Sequence, residues 1–437
     1  MIDHRNLRAL DGSLAWLVFA LAVPVSGQLV GPEFQVNSYT TGDQTYSSVA
    51  VGGSGEFVVV WRGSAAEDDF GVFGQRFDGQ GGRVGEEFLV NTYTTGGQNR
   101  PSVAADGAGN FVVVWTSWYQ DGSSAGIFGQ RYDPSGARLG EEFRVNSYTT
   151  GYQSLPAIAA ESSGAFVVVW SSEQNGYQDI HGQRFGSDGS PLGSEFQINS
   201  YTLGHQAFPS LALDGSGNFV VSWESEQDGS GKGVFAQRFN SAGTAVGNEF
   251  QVNTYTTNYQ YRSAVAADDA GNFVVVWDCL GRVGAFAQWF DASGTAVGGE
   301  VSVSSQHLVG GPGVAWDGHG SFVVVTLGDD SSYSGVIGQR FDPRGLKLGP
   351  EFPISTFSAG LQFIPSIAAN AEGDFVVAWT SQGVTGGQDG SGAGVFGQRL
   401  APWIFTGDLE TGDPCSWSVV VGSECLGLQV DGRSARN

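Results

Sequence analysis

Asn110-Phe111-Val112-Val113-Val114-Trp115 is a run of five apolar residues after an asparagine, and the chain repeats it. The other copies are Phe57–Trp61, Phe166–Trp170, Phe219–Trp223, Phe273–Trp277, Phe322–Thr326 and Phe375–Trp379. A run that is β-branched in the middle and bounded by turn residues predicts a short strand buried on both faces. A strand with one solvent-exposed face would alternate apolar and polar residues instead. Seven such strands in similar surroundings predict a repeat architecture.

A second motif, Gly-x-Glu, sets the period of the repeat. Its copies begin 51–55 residues apart, at Gly31, Gly85, Gly140, Gly193, Gly247, Gly298 and Gly349. Each unit holds four short strands and no helical stretch; in the second unit they are Glu86–Asn91, Pro101–Ala105, Phe111–Trp115 and Ile127–Tyr132. Seven units of four antiparallel strands predict an all-β, seven-bladed β-propeller.

Loop lengths predict the order of strands within a blade. Asp106–Asn110 and Asp133–Gly136 are tight hairpin turns, whereas the connector Asn91–Arg100 is long. The connector should therefore carry the chain from one blade's outer edge to the next blade's inner strand. On this reading Pro101–Ala105 is innermost, and the N-terminal strand Glu33–Asn37 completes the seventh blade and closes the ring.

The two ends of the chain lie outside the repeat. Residues 1–27 have basic Arg5 and Arg8 followed by the apolar run Leu14–Val25, which predicts a signal peptide. That run of 12 residues is short for a membrane anchor, which needs ~20. We therefore expect a secreted or periplasmic monomer without a membrane span after cleavage. Residues 31–400 form the propeller and 401–437 a tail, in which Cys415 and Cys425 are expected to form a disulfide in an exported chain.

The charge of the chain limits the classes of partner that it can bind. It carries 20 basic and 44 acidic residues, a formal net charge of −24, and its only lysines are Lys232 and Lys347. This balance argues against nucleic acid, which needs a basic surface, and against anionic membranes. We expect a carbohydrate or a protein surface as the partner.

The connectors and the loops between second and third strands should share one face of the ring, the loop-rich face, which is the default binding face. Aromatic residues recur on the connectors and either stack on sugars or anchor each connector to its blade; the strict repetition favours an anchor. Other candidates are Trp118 and Tyr119, and His307 and Trp316 in the divergent units. The recurrent residues are Tyr39, Tyr93, Tyr148, Tyr201, Tyr255 and Phe357. Glutamines recur as well, and we expect them to tie the connector backbone: Gln44, Gln98, Gln153, Gln206, Gln260 and Gln362.

Charged residues offer two further patterns. Asp121, Asp228 and Asp389 each precede Gly-Ser and could supply oxygen ligands to calcium, the one cofactor we consider, although an ordinary turn is favoured. The arginines of the third strands are expected to pair with outer-strand carboxylates such as Glu87 or Glu142. These arginines are Arg76, Arg131, Arg184, Arg238, Arg340 and Arg399, with Trp289 replacing them in the fifth unit.

Residues 31–400 resemble a group of secreted, highly repetitive bacterial β-propellers built on Asn-Phe-Val-Val-Val-Trp and Phe-Gly-Gln-Arg-Phe-Asp units. The resemblance implies the fold and no established activity. Our first hypothesis is a non-catalytic binding propeller. A polysaccharide hydrolase or lyase using Asp121 or Asp228 is the alternative, and it needs two carboxylates ~5–10 Å apart. A surface protein whose repeats serve only stability is the third.

Overall fold

The structure is a computed structural model. It describes residues 29–65, 68–174, 176–282, 284–306, 310–329, 334–358, 360–383 and 388–401, and the backbone of 404–406, 418–421 and 424–426. The predicted signal peptide, His307 and Cys415, and with Cys415 the predicted disulfide, lie outside these residues.

Within the described ranges the chain forms seven sheets of four antiparallel strands, which confirms the predicted fold. The inner strands are β2 (Thr45–Val51), β6 (Gln98–Ala105), β10 (Gln153–Ala160), β14 (Gln206–Leu213), β18 (Gln260–Ala267), β22 (Gly313–Trp316) and β26 (Gly360–Ala369). The second strands are β3 (Phe57–Ala65), β7 (Phe111–Trp118), β11 (Phe166–Glu173), β15 (Phe219–Ser225), β19 (Phe273–Cys279), β23 (Phe322–Asp329) and β27 (Phe375–Gly383).

The third strands are β4 (Asp68–Phe77), β8 (Ala125–Tyr132), β12 (Gln178–Phe185), β16 (Gly233–Phe239), β20 (Ala285–Phe290), β24 (Ser334–Phe341) and β28 (Ala393–Leu400). The outer strands are β5 (Arg83–Leu89), β9 (Phe143–Arg144), β13 (Phe196–Gln197), β17 (Ala245–Gln251), β21 (Ala296–Ser302), β25 (Phe352–Pro353) and β1 (Leu29–Gln35). A 3-10 turn spans Glu226–Asp228, and β29 (Ile404–Thr406), β30 (Ser418–Val421) and β31 (Glu424–Leu426) form a small separate sheet.

The ring is closed by strands from opposite ends of the propeller. We number the blades 1 to 7 from β2–β5 to the last sheet, in which β1 pairs with β28. Phe34 lies opposite Gly397, and the Val36 N–H donates to the Val395 carbonyl over 2.8 Å. The predicted closure is therefore confirmed, and it covers the outer edge of the third strand β28, which would otherwise be unpaired.

The hydrophobic core lies between the blades rather than inside any one of them. In β7, Phe111, Val113 and Trp115 pack with blade 1, whereas Val112 and Val114 pack with blade 3. Both faces of the strand are covered, which explains why five consecutive residues are apolar. Each such side chain contributes ~1.5–3 kcal/mol when fully buried, before chain entropy is subtracted.

A glutamate clasp repeats at every blade boundary among the described residues. The glutamate of each Gly-x-Glu motif accepts the backbone N–H of the residue that begins the connector from the preceding blade, over 2.5–2.8 Å. The pairs are Glu87–Ser38, Glu142–Thr92, Glu195–Ser147, Glu249–Ser200, Glu300–Thr254, Glu351–Ser305 and Glu33–Thr356. This contact satisfies a connector N–H with a charged acceptor, and it links neighbouring outer strands.

The prediction that third-strand arginines pair with these glutamates is wrong. Arg76 instead donates to the Pro134 carbonyl in the next blade's turn, and Arg184 donates to Ala242 in the same way, each over 2.9 Å. Arg131, Arg238, Arg340 and Arg399 likewise donate to backbone carbonyls of the following blade. The glutamates are already occupied by connector N–H groups, so the arginines bridge blades through carbonyls.

Candidate functional site

Six of the seven inner strands begin with a β-bulge on the loop-rich face, among the residues that the structure describes. In blade 2, Asn99 pairs with Thr116 and Ser102 with Val114, so the inner strand advances three residues while its partner advances two. The extra residue, Arg100, has a backbone φ of +50°. A bulge of this kind re-aims a side chain and is frequent beside functional sites.

The extra residues of all blades, with Gly311 at the matching place in blade 6, surround one pocket. We call these seven residues the axial ring: Tyr46, Arg100, Leu155, Phe208, Arg262, Gly311 and Ile364. With the residues that follow them, among them Pro101 and Pro209, they line a cavity of about 350 Å³. Because every blade contributes its inner strand, the pocket lies at the axis of the propeller.

The axial ring holds its side chains in a backbone conformation that such residues rarely adopt. The φ angles of Tyr46, Leu155, Phe208 and Ile364 lie between +53° and +58°. For bulky or β-branched residues a positive φ costs on the order of 1–3 kcal/mol and persists only where the surrounding structure enforces it. A glycine would avoid this cost, yet among the described residues only blade 6 has one at this position. The side chains are thus retained against strain, as at a functional site.

Arg100 reaches across the mouth of the pocket. Its guanidinium carbon lies 4.8 Å from the centre of the Tyr46 ring and 5.6 Å from that of Phe208, although these rings belong to blades 1 and 4. The Lys232 Nζ lies 6.0 Å from the Phe208 ring. Cation–π contacts of this kind are weak when exposed and stronger when desolvated. The arrangement places positive charge between two aromatic faces at the axis.

Two buried carboxylates support the bulge of blade 5 and the matching backbone of blade 6. The Glu224 Oε1 accepts the Arg262 N–H over 2.8 Å, while its Oε2 pairs with Lys232 at 2.8 Å. The Asp278 Oδ2 accepts the N–H groups of Gly310 and Gly311 at 3.1 and 2.9 Å. Burial raises the pKa of Asp278 to about 6, against the opposing effect of these hydrogen bonds. Both carboxylates therefore hold ring backbone in place.

The matching position in blade 1 carries the opposite charge. Arg62 follows Trp61 just as Asp278 follows Trp277, and its guanidinium carbon lies 4.2 Å from the centre of the Phe70 ring. Burial lowers the pKa of Arg62, and the like charge of Arg100 adds to this effect, while Tyr46 and Asp43 oppose it. Arg100 at the pocket and Arg62 behind it therefore place two positive charges beside blades 1 and 2.

The recurrent connector residues lie on the loop-rich face. Tyr39, Tyr93, Tyr148, Tyr201, Tyr255 and Phe357 are all half-buried. The carbonyl of Tyr93 accepts the Asn91 side-chain amide over 3.0 Å, and Tyr148, Tyr201 and Tyr255 are held in the same way. Part of each of these residues stays accessible, so sugar stacking by them remains a prediction.

The recurrent glutamines are buried links between connector and blade. Gln44 donates to the Thr41 carbonyl and accepts the indole N–H of Trp61 over 3.0 Å. Gln98, Gln206 and Gln362 accept the corresponding indole N–H, whereas the indole N–H of Trp170 has no hydrogen-bond partner among the described residues. The predicted backbone tie is confirmed, and the bond to tryptophan is an addition that the sequence did not reveal.

The structure separates the remaining aromatic candidates. Tyr119 is 61% exposed, and the Trp118 ring lies 5.9 Å from it and 5.3 Å from the Tyr152 ring, so these three residues form a blade 2 patch on the loop-rich face. Trp316 ends its inner strand at the tight turn on the opposite face and packs 4.9 Å from Phe322. Trp316 is therefore not brought together with the other candidates.

The candidate calcium ligands serve their own loops. The Asp121 Oδ1 accepts the Ser123 N–H over 3.0 Å, and Asp228 and Asp389 accept the N–H of Ser230 and Ser391 in the same way. Within the part of the chain that the structure describes, no group of three or more His, Cys, Asp or Glu residues is arranged to hold a metal ion. These contacts are those of ordinary turns.

The axial ring was missed at the sequence level because nothing marks a bulge in these residues. The signal that could have found it is variation: the position before the inner-strand Pro-Ser or its equivalent reads Tyr, Arg, Leu, Phe, Arg, Gly and Ile along the chain. The position after it is Pro or Ser in every unit, whereas the position before it, from Thr45 to Phe363, varies as well. A variable pair of residues ahead of a constant Pro or Ser, at one end of each inner strand, predicts a composite site at the axis.

Comparison with known proteins identifies the fold alone. No family model matches the chain, and no curated protein matches it in sequence. A protein of unknown function from Dyadobacter fermentans is 11% identical, with a TM-score of 0.50, covering 86% of this chain and 99% of that one. A GH93 α-L-arabinofuranosidase of Fusarium graminearum in complex with arabinobiose is 10% identical, with a TM-score of 0.50 and coverages of 86% and 98%.

A third solved structure, a PL25 ulvan lyase bound to a GlcA-Rha3S glycan, is 10% identical to this chain. Its TM-score is 0.51, and the match covers 86% of this chain and 94% of that one. At such identities the likeness shows a shared propeller and no more. Over the ranges described above, no helix has the length and apolar character that crossing a membrane requires.

Proposed function

We propose that this protein is an exported, non-catalytic carbohydrate-binding propeller that holds its ligand over the axial ring. The observation that carries the proposal is the ring itself: seven residues of varied type, one from each blade and six of them on strained bulges, surround a single pocket. Pockets of about 300–1,000 Å³ lined by aromatic residues and a few polar groups are typical of small-ligand sites, and this cavity lies at the lower end of that range.

Carbohydrate is the ligand class that fits the composition of the site. Tyr46 and Phe208 present aromatic rings to the pocket, and the blade 2 patch adds Trp118 and Tyr119 on the same face. Aromatic faces supply apolar area, and the hydroxyl and guanidinium groups beside them supply hydrogen-bond donors. The same fold carries arabinobiose in one solved structure and a GlcA-Rha3S glycan in another, which agrees with the proposal.

Binding without catalysis is favoured by the state of the carboxylates. Glu224 and Asp278, the acidic residues beneath the ring, are both committed to backbone N–H groups. Asp121 and Asp228, the acid and base of the enzymatic alternative, accept N–H groups of their own turns in blades 2 and 4. A hydrolase would need an acid and a base converging on one bond.

The test is a panel of neutral and acidic oligosaccharides screened against the full chain by melting temperature, because a ligand that binds the folded state raises it. We expect one glycan class to raise it, and Phe208→Ala to weaken that binding at least 10-fold. Tyr148→Ala, a matched loss of a half-buried ring on a connector, should leave the affinity within about 2-fold. Release of shortened products would overturn the non-catalytic proposal.

Two further results of these experiments would also contradict the proposal. Loss of binding in Tyr148→Ala with none in Phe208→Ala would move the site from the axial ring to the connector tyrosines. An unchanged melting temperature with every glycan would contradict carbohydrate binding and favour a protein partner or a purely structural role.

A further inference from the structure

Most arginines of this propeller have fixed partners. Third-strand arginines such as Arg76 and Arg184 bind carbonyls, Arg282 pairs with Glu300 at 2.8 Å, and Arg344 pairs with Asp342 at 2.7 Å. In a chain with a net charge of −24, acceptors for a guanidinium are plentiful. An arginine left without one at a pocket is therefore informative.

Three arginines are left without such a partner: Arg100 and Arg262 line the axial pocket, and Arg62 lies beside Arg100 on the second strand of blade 1. Among the described residues none of their guanidinium groups lies within 4 Å of a carboxylate oxygen or donates a hydrogen bond. Arg100 rests between the Tyr46 and Phe208 rings, and Arg62 lies over Phe70. Each keeps its five N–H donors available for a ligand.

The basic charge is concentrated on one side of the ring. The charge of Lys232 is neutralised by Glu224, and Arg262 lies in the field of the buried Asp278. Arg62 and Arg100 are close enough to repel each other, and the nearby acid Asp43 does not reach Arg62 within 4 Å. An anion bound between them would relieve this repulsion. The remaining acidic surface is screened beyond a Debye length of about 8 Å at physiological salt.

We propose that the axial ring recognises the acidic group of a polysaccharide, a uronate carboxylate or a sulfate ester, through Arg100 and Arg62, with the sugar ring against Tyr46 or Phe208. This inference rests on the proposed carbohydrate-binding function and names its ligand class. Guanidinium groups bind carboxylate and sulfate oxygens with paired, charge-assisted hydrogen bonds, which a neutral sugar cannot provide. Lys232 is paired with Glu224, and Arg262 lies in the field of Asp278, so both play a smaller part.

The test measures the affinity of the full chain for three matched probes by calorimetry. The probes are oligogalacturonate, its methyl ester and a sulfated galactan oligosaccharide, the first two differing only in the charge of the carboxyl group and its methyl cap. We expect at least one acidic probe to bind at least 10-fold more tightly than the methyl ester. The preferred acid, carboxylate or sulfate, distinguishes the two sources of negative charge.

Variants then test whether the acidic group is recognised at the axial ring. Arg100→Ala should lower the affinity for the acidic probe at least 10-fold and leave the affinity for neutral glycans within 2-fold. Arg100→Met, which keeps the apolar stem of the side chain, should have the same effect. Arg144→Ala is the control, since it removes an exposed arginine from the outer strand β9. The affinity of this control variant for the acidic probe should stay within 2-fold of that of the unmodified protein.

Equal affinity for the acid and its methyl ester, or no effect of either Arg100 variant, would overturn the acidic ligand class and leave carbohydrate binding intact. Failure of every neutral and acidic glycan to bind would overturn the proposed function as well.

Discussion

The glutamate clasps and the axial ring are both built from one residue per blade, yet they differ in what the chain repeats. The clasp uses glutamate at all seven described boundaries and joins it each time to the same connector N–H. The ring uses six different residue types at seven equivalent positions. Contacts that hold neighbouring blades together are the same at every boundary, so they repeat. A pocket with one ligand is asymmetric, so its lining varies.

The largest effect should come from the repeated scaffold. Trp115 is fully buried between blades 1 and 2, and its indole donates to Gln98. Trp115→Ala should lower the free energy of unfolding by ~3–5 kcal/mol, because the cavity between two blades cannot collapse. Denaturant unfolding measures this loss, with Tyr119→Ala as an exposed control that should change it by less than ~0.5 kcal/mol. A loss under about 1 kcal/mol for Trp115→Ala would show that blade packing does not depend on these tryptophans.

Asp278 provides a pH-dependent test of the structure beneath the ring. Its pKa is raised by burial to about 6, above the ordinary ~3.9 of the unfolded chain. Between pH 4 and 6 the folded state therefore holds a proton that the unfolded state has lost, so stability falls as pH rises through this window and levels off above it. The full effect is roughly 3 kcal/mol, at ~1.4 kcal/mol for each pKa unit.

Asp278→Asn keeps the shape and removes this titration. The difference in unfolding free energy between the two proteins, measured at intervals from pH 4 to 8, should grow in favour of the variant and become constant above pH 7. Charge on Arg262, Glu224 and Tyr261 is common to both proteins and cancels in the difference. Parallel curves at every pH would show that Asp278 is not buried as an ionisable group beneath the ring.

The clasp itself should contribute less than the tryptophans. The Glu142 Oε2 accepts the N–H and hydroxyl of Thr92 over 2.7 and 2.9 Å. Glu142→Ala should cost ~1–3 kcal/mol, since it leaves a charge-assisted hydrogen bond unmade. Glu141→Ala, an exposed neighbour, is the matched control and should cost almost nothing in the same denaturant experiment. Equal losses of unfolding free energy for the two variants would show that the clasp does not stabilise the propeller.

The smallest effect should come from the ring and have the opposite sign. Ile364 has a φ of +53°, where a β-branched residue is strained and the equivalent residue of blade 6 is glycine. Ile364→Gly should leave stability unchanged or raise it by up to ~1 kcal/mol. The reason is that relief of backbone strain offsets the greater chain entropy of glycine and the missing side-chain packing. A decrease of more than about 1 kcal/mol, measured by denaturant unfolding, would mean that the ring is selected for packing rather than for a ligand.

The sequence contained nearly all of the fold and little of the site. Uninterrupted apolar runs such as Phe111–Trp115 required cover on both faces, and Glu33–Asn37 lacked a blade of its own, so the ring and its closure followed. The bulges did not follow, because a positive φ is expected at glycine or asparagine and not at Arg100 or Phe208. The arginine pairing was wrong because residue type showed Glu87 as an acceptor but could not show that Ser38 already uses it.

The most direct test of the claim that the variable ring is the binding site is a crystal structure of the protein with the tightest-binding oligosaccharide from the panel. The account predicts sugar density at the axis, in contact with several residues of the ring and with Arg100 at its acidic group. Density on the connector tyrosines or the blade 2 patch, with none at the ring, would contradict it.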